Sequence, residues 1–149
     1  IGADWEYLKE LFPQHKESLI IRGLLSQEDM TAALLTSKVF ISPIVASTGL
    51  NTKNLLALSR GLPMVTTPDG SHGLMYSFET SKDLYPPFYV VNSEIEFSNK
   101  VLELYNNNEL WQEVALAALR HARKSFSLNA QAREIDRAFQ IAFHNQKKD

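Results

Sequence analysis

The sequence of 149 residues contains no cysteine. Without thiols the chain cannot build a disulfide scaffold, a cysteine-ligated zinc or iron–sulfur site, or a thiol nucleophile. Its apolar runs are a few residues long, far short of the roughly 18 needed for a membrane-spanning helix. Residues 1–15 also lack the charged-then-apolar pattern of a signal peptide. We therefore expect no membrane insertion by this segment, and the compartment stays open.

An excess of positive charge is lacking as well. The chain has 15 Lys and Arg against 17 Asp and Glu, a formal net charge of −2, and no basic run longer than Lys147-Lys148. Because nucleic-acid binding through phosphates depends on a dense basic field, we expect no nucleic-acid partner. With 44% hydrophobic and 21% charged residues, the composition is typical of one globular domain.

Apolar segments alternate with helical patterns along the chain. Short apolar runs predict four strands, at residues 19–22, 38–43, 64–67 and 89–91. Helices are predicted at residues 5–12, 51–60 and 109–124. Two more helices are predicted to begin after the N-cap residues Ser26 and Ser93. A closing helix is predicted from Phe139 and Phe143, which fall on one face. Strands separated by single helices indicate an α/β fold, a Rossmann-like parallel sheet with crossover helices and with C-terminal helices packed on it.

In such a sheet, ligands bind beyond the carboxyl ends of the strands. This rule selects three loops: residues 23–25, 43–53 and 67–74. The middle loop runs into the first turn of a helix, where unpaired N–H groups and the helix dipole attract phosphate oxygens. Gly49 allows close backbone approach, Thr52 offers a hydroxyl and Lys53 a positive charge. The alternative is that Asn51 or Thr52 only caps the helix and Lys53 is solvated.

Each of the other side chains that could bind a ligand also has a purely structural interpretation. His72 could face a ligand or be a surface-loop histidine, and Asp69 could hold a sugar hydroxyl or form a turn with Gly70. We expect Trp5 and Trp111 to pack in the core. Two further sets are scattered or solvated: His15, His121 and His144 show no ligand spacing, and Arg120, Arg123 and Lys124 form a solvated helix face. We predict no metal site.

The segments Phe40–Pro43 and Thr48–Leu74 together resemble the C-terminal donor-binding domain of group 1 (family 4) glycosyltransferases. The shared features are a strand ending in Ser-Pro, a glycine-bearing loop, a lysine-led helix, a Gly-x-Pro turn and a Gly-Leu pair. The resemblance extends over nearly the whole chain, through Ile21–Gly23 and Ser26–Asp29 upstream and Asn108–Trp111 and Arg123–Ser127 downstream.

The resemblance implies one half of a GT-B fold and transfer of a sugar from a nucleotide-diphosphate sugar to an acceptor with retention. Residues 1–149 would form a single Rossmann-like nucleotide-sugar-binding domain, truncated at its N-terminal edge, where Ile1-Gly2 ends the first strand. The expected partners are the nucleotide sugar and an N-terminal acceptor domain of the same protein, with no metal or other cofactor. By the same resemblance the base lies near Gly23 and Leu24, and the diphosphate is held by a run of six residues: Thr48, Gly49, Leu50, Asn51, Thr52 and Lys53.

Two positions depart from the family. It commonly carries two glutamates separated by seven residues, and these align with Thr48 and Leu56, neither of which is acidic. Leu56 cannot accept hydrogen bonds from a ribose, so donor affinity is expected to be weaker. A non-catalytic domain of the same ancestry, serving as an interaction or structural module, is therefore an alternative. A flavodoxin-like signalling module is a further one, although no acidic cluster follows the predicted strands.

Overall fold

A computed structural model describes residues 6–47, 49–76 and 83–146. The chain divides into two compact units, Ile1–Thr36 and Ser37–Asp149. The predictions for Ile1, Gly2, Trp5 and Thr48 lie outside the described residues.

The first unit contains helix α1 (Tyr7–Leu11), a 3-10 turn (Pro13–His15) and helix α2 (Gln27–Thr36). Helix α2 begins as predicted, because the Ser26 hydroxyl accepts a hydrogen bond from the Asp29 amide and donates one to the Asp29 carboxylate. The helix turns Ala33 and Leu34 inward, with Leu34 buried.

The strand predicted at residues 19–22 is wrong, because this segment has no regular secondary structure. An apolar run becomes a strand only when a neighbouring strand accepts its backbone hydrogen bonds. The described part of this unit, residues 6–36, contains no other strand to pair with. The first candidate loop, residues 23–25, therefore does not follow a strand end.

The second unit is built on a parallel sheet. Within the described residues it has three strands, β1 (Phe40–Ser42), β2 (Met64–Thr66) and β3 (Tyr89–Val90), in the order β1-β2-β3. Ser42 pairs with Thr66, and Thr66 with Val90, so the strands end together at one edge. The predicted α/β fold with a parallel sheet is confirmed, and it is compatible with part of a Rossmann-like fold.

Helices follow each strand of this unit. Helix α3 (Thr52–Ser59) connects β1 to β2, and the short helix α4 (Pro68–Ser71) follows β2. Three longer helices complete the chain, α5 (Glu94–Asn106), α6 (Asn108–Phe126) and α7 (Leu128–Gln146). Helix α5 begins at the predicted cap, since the Ser93 hydroxyl accepts from the Glu96 amide. Gly61, with φ of +68°, ends α3 where a side chain would contact Leu119.

Both faces of the central strand β2 are buried. Met64 packs with Leu58 of α3 and Ala118 of α6, whereas Val65 on the opposite face packs with Leu104 of α5 and Val114 of α6. All three residues of β2 are buried, as expected for a parallel strand covered by helices on both sides. This packing fixes the sheet edge at which the candidate loops begin.

Helix α6 is anchored to the start of β1. The Trp111 indole Nε1 donates to the Lys38 carbonyl, and Lys38 Nζ donates to Asn108 Oδ1 at 3.0 Å. Trp111 is half-buried and ties α6 to the start of β1 through this bond, whereas its predicted place in the core stays a prediction. Across the described ranges, no helix has both the length and the apolar character that crossing a bilayer requires.

Candidate functional site

A buried network of polar groups lies where β1 and β2 end. Ser42 Oγ donates to Asn54 Oδ1, and Asn54 Nδ2 donates to the Gly70 carbonyl, both at 2.8 Å. Thr66 Oγ1 donates to the Ser42 carbonyl at 3.0 Å. Asn54 is 1% exposed, so its amide ties β1, α3 and α4 together in a region without competing water. Sequence analysis did not single out Asn54, whose only signal is a polar residue on the inner side of a predicted helix.

The loops after β1 and β2 also contact each other directly. Thr67 Oγ1 donates to the Ile44 carbonyl and accepts from the Gly70 amide. Gly73 has a φ of +77°, and a Cβ there would lie 3.0 Å from the Leu50 Cβ. Two of the three candidate loops therefore lie side by side at the carboxyl edge of the sheet.

The start of α3 is closed by a side-chain cap. Asn51 Oδ1 accepts from the Lys53 amide at 3.1 Å, and the Asn51 carbonyl accepts from the Asn54 amide. This bears out the capping interpretation of Asn51 and leaves the Lys53 amide engaged. The Lys53 side chain is exposed, and the ion pairs of the described residues do not include it.

Two other predicted site residues line an open cavity of about 430 Å³. Thr52 and Leu56 of α3 form one wall, and Arg123 and Phe126 of α6 form the opposite one. The first turn of α3 therefore borders open space on its Thr52 side. Gly49 borders open space as well, since a Cβ there would contact nothing within 4 Å.

The remaining predicted residues belong to the first compact unit. Gly23 has a φ of +58°, a left-handed conformation that favours glycine, and Leu24 is 82% exposed. The assignment of both residues to base binding stays a prediction.

The segment predicted as a turn-rich loop contains one helical turn. Thr67 caps helix α4 from a position just before Pro68, an arrangement that favours helix initiation. Asp69 therefore lies in the first turn of a helix, and not in a turn of its own with Gly70. His72 Nδ1 lies 4.0 Å from Asp69 Oδ1, and both side chains face solvent, as the surface interpretation of His72 predicts.

His121 is placed behind this loop in an aromatic environment. Its Nε2 lies 2.6 Å from the Leu74 carbonyl, which can only accept, so the ring donates from Nε2. The rings of Tyr76 and Phe126 contact it edge-on, with centroids 5.4 and 5.8 Å away. Burial lowers the pKa of His121, and the hydrogen bond to Leu74 opposes that shift. His121 therefore fixes the end of the β2 loop in its neutral form.

Among the described residues, no three His, Asp or Glu side chains are grouped so that they could hold a metal ion. The described site is therefore a set of backbone groups, hydroxyls and one lysine at a sheet edge. No protein-family model matches the chain, and no curated protein matches it.

Proposed function

We propose that this chain is the donor-binding domain of a retaining glycosyltransferase of the GT-B type. In this proposal, the loop from Thr48 to Lys53 holds the diphosphate of a nucleotide sugar. The domain stabilises the charge that develops on the departing nucleotide diphosphate. The acceptor-binding domain would lie elsewhere in a longer protein, so we expect the isolated chain to be inactive. We assign no catalytic residue.

One observation carries the proposal. Two parallel strands end at one edge, and the loops that follow them are joined by the Asn54 bonds to Ser42 and Gly70. Ligands in parallel α/β sheets bind at this edge, and here the exposed Lys53 lies in the first turn of the eight-residue helix that follows β1. Positive charge together with the helix dipole favours a bound anion.

The exposed apolar residues of helix α7 support the proposal of a second domain. Ile135, Phe139 and Phe143 repeat at helical spacing, yet each is more than half exposed. Complete burial of a fully exposed side chain of this size stabilises a protein by about 1.5–3 kcal/mol, and about half of that is still to be gained at each of these residues. A neighbouring domain that covered this face would therefore gain substantial binding energy.

A non-catalytic domain of the same ancestry is the second candidate. It is favoured by Leu56, which lies in an apolar cavity wall where the resembling family has an acid. The cap formed by Asn51 also occupies the Lys53 amide, a group that a phosphate would need. In this alternative the fold is retained for contact with another protein and binds no donor.

Titration of the 149-residue chain with UDP, GDP and ADP separates the two candidates. We expect saturable binding of at least one nucleotide, measured by calorimetry and by a rise in melting temperature. Lys53→Ala should weaken it about tenfold, because a charge-assisted contact is lost. Arg60→Ala, at the opposite end of the same helix, is the control and should leave affinity unchanged. Absence of binding at millimolar nucleotide would favour the non-catalytic domain.

A further inference from the structure

An apolar groove separates helix α3 from the end of helix α6. We call it the α3–α6 groove. Its described lining residues are Thr52, Leu55, Leu56, Ser59, Ala122, Arg123, Phe126 and Ser127. Its volume of about 430 Å³ falls within the roughly 300–1,000 Å³ range of small-molecule sites.

The walls and rim of the groove differ in chemistry. Leu55, Leu56 and Phe126 are half-buried and are the large apolar side chains of the described lining. Arg123 is exposed and is the one charged residue of the described lining, and none of the described lining residues is acidic. Arg123 takes no part in the ion pairs of the described residues, which join Lys9 to Glu6, His72 to Asp69 and Lys100 to Glu103. The groove therefore combines apolar walls with one positive charge that no ion pair among the described residues neutralises.

The two serine hydroxyls of the groove lining differ in whether they have a hydrogen left to donate. Ser59 Oγ already donates to the Leu56 carbonyl at 2.8 Å. Ser127 Oγ accepts from the Ala130 amide and keeps its own hydrogen for another acceptor. The described lining side chains with a hydrogen left to donate are therefore those of Arg123, Ser127 and Thr52, a set that fits a negatively charged oxygen group.

One wall is held in place from behind. The Phe126 ring contacts the His121 ring edge-on at 5.8 Å, and His121 is hydrogen-bonded to the Leu74 carbonyl. Ala122 is buried between these residues along α6. The aromatic wall is thus fixed before any ligand arrives, which lowers the cost of ordering on binding.

We propose that the α3–α6 groove binds a small amphipathic anion. The apolar part of the ligand packs on Leu55, Leu56 and Phe126, and its anionic group pairs with Arg123. This site goes beyond the proposed donor site, with which it shares Thr52 and Leu56. A polar, multiply hydroxylated ribose would leave these leucines in contact with hydroxyl groups that they cannot satisfy.

The test is an NMR titration of the 149-residue chain with naphthalene-1-sulfonate and, separately, octyl phosphate. The uncharged 1-naphthalenemethanol is the ligand control. We expect saturable shifts at Leu55, Leu56 and Phe126 with an anionic probe, and the tighter probe identifies the apolar part as aromatic or aliphatic. Arg123→Gln should weaken binding about 10- to 100-fold, because a hydrogen bond to a charged group is lost. Arg120→Gln, one turn earlier on α6 and outside the described lining, should have no effect.

Leu56→Glu distinguishes this site from the proposed function. It places a carboxylate in the groove, so it should abolish binding of the anionic probes, while circular dichroism confirms that the chain is folded. The same variant should tighten UDP if the donor proposal holds, because a glutamate can accept ribose hydroxyl bonds. The groove proposal is overturned if neither probe saturates, if Arg123→Gln changes nothing, or if the shifts fall on the exposed face of α7. None of these outcomes depends on whether UDP binds.

Discussion

Asn54 is the residue that joins the ends of two strands to the helices that follow them. Its amide accepts from Ser42 and donates to Gly70 in a region closed to water. Asn54→Ala leaves both partners buried without a hydrogen bond, at a cost of about 1–3 kcal/mol each. We expect the free energy of unfolding to fall by about 2–6 kcal/mol in urea denaturation.

Asn106→Ala is the matched control for this substitution, since Asn106 is exposed near the end of α5. It should change the free energy of unfolding by less than about 0.5 kcal/mol. Equal effects of the two substitutions would contradict the structural role assigned to the Asn54 network.

His121 gives stability a dependence on pH. Burial lowers its pKa in the folded chain, so the unfolded chain binds the proton more readily. The contribution of His121 to the free energy of unfolding is therefore fully present above the unfolded pKa of about 6.5. It is lost as the pH falls through the lower pKa of the folded chain. The Lys124 charge adds to the shift, whereas the Leu74 carbonyl and Asp83 oppose it.

The measurement is the free energy of unfolding between pH 7.5 and 5, with and without His121→Gln. The difference between the two proteins should shrink towards acid pH, because the variant has no imidazole to protonate. A difference that stays constant over this range would show that His121 has the same pKa in both states.

At the scale of elements, the cap of α3 has a measurable role. Asn51 Oδ1 accepts from the Lys53 amide, and loss of an N-cap typically costs about 0.5–2 kcal/mol. Asn51→Ala should lower the free energy of unfolding by that amount, whereas Asn51→Asp should preserve it, because aspartate is an equally good cap. An alanine variant as stable as the parent would show that the helix start is held by other groups.

Elements with strong local signals could be predicted from the sequence. Ser26 and Ser93 mark helix starts through their own hydroxyls, and Gly61 ends α3 by its positive φ. Residues 19–22 could not be placed in this way, because an apolar run carries no information about whether a partner strand is available. The helical turn at Pro68–Ser71 could not be predicted for a different reason. Pro, Asp, Gly and Ser are common both in turns and at helix starts, so their presence does not separate the two.

Within the site, the sequence located the segments better than it described their interactions. The loops after β1 and β2 do meet at one edge, as the topology of a parallel sheet requires. The contacts that join them, from Asn54 to Gly70 and from Thr67 to Ile44, depend on side chains 16 and 23 residues apart. Such hydrogen bonds depend on how the folded elements pack, and the periodicity of the sequence does not predict them.

At the scale of the whole molecule, the second unit is a parallel sheet with helices packed on it, and residues 131–144 of its closing helix are all exposed. The Phe139 and Phe143 rings stack on each other at 6.3 Å, yet both remain more than half exposed. Large exposed apolar faces mark interaction surfaces. This face and the sheet edge together fit a domain that works beside another one, as the donor proposal requires.

The most direct test of that proposal maps bound nucleotide onto individual amides. We expect saturating UDP, GDP or ADP to shift the amide signals of Gly49, Leu50, Thr52 and Lys53 most, followed by those of residues 70–74. These groups lie at the carboxyl edge of β1 and β2, where the account places the diphosphate. If every nucleotide leaves these amides unmoved at millimolar concentration, or shifts only residues far from this edge, the chain has no donor site there.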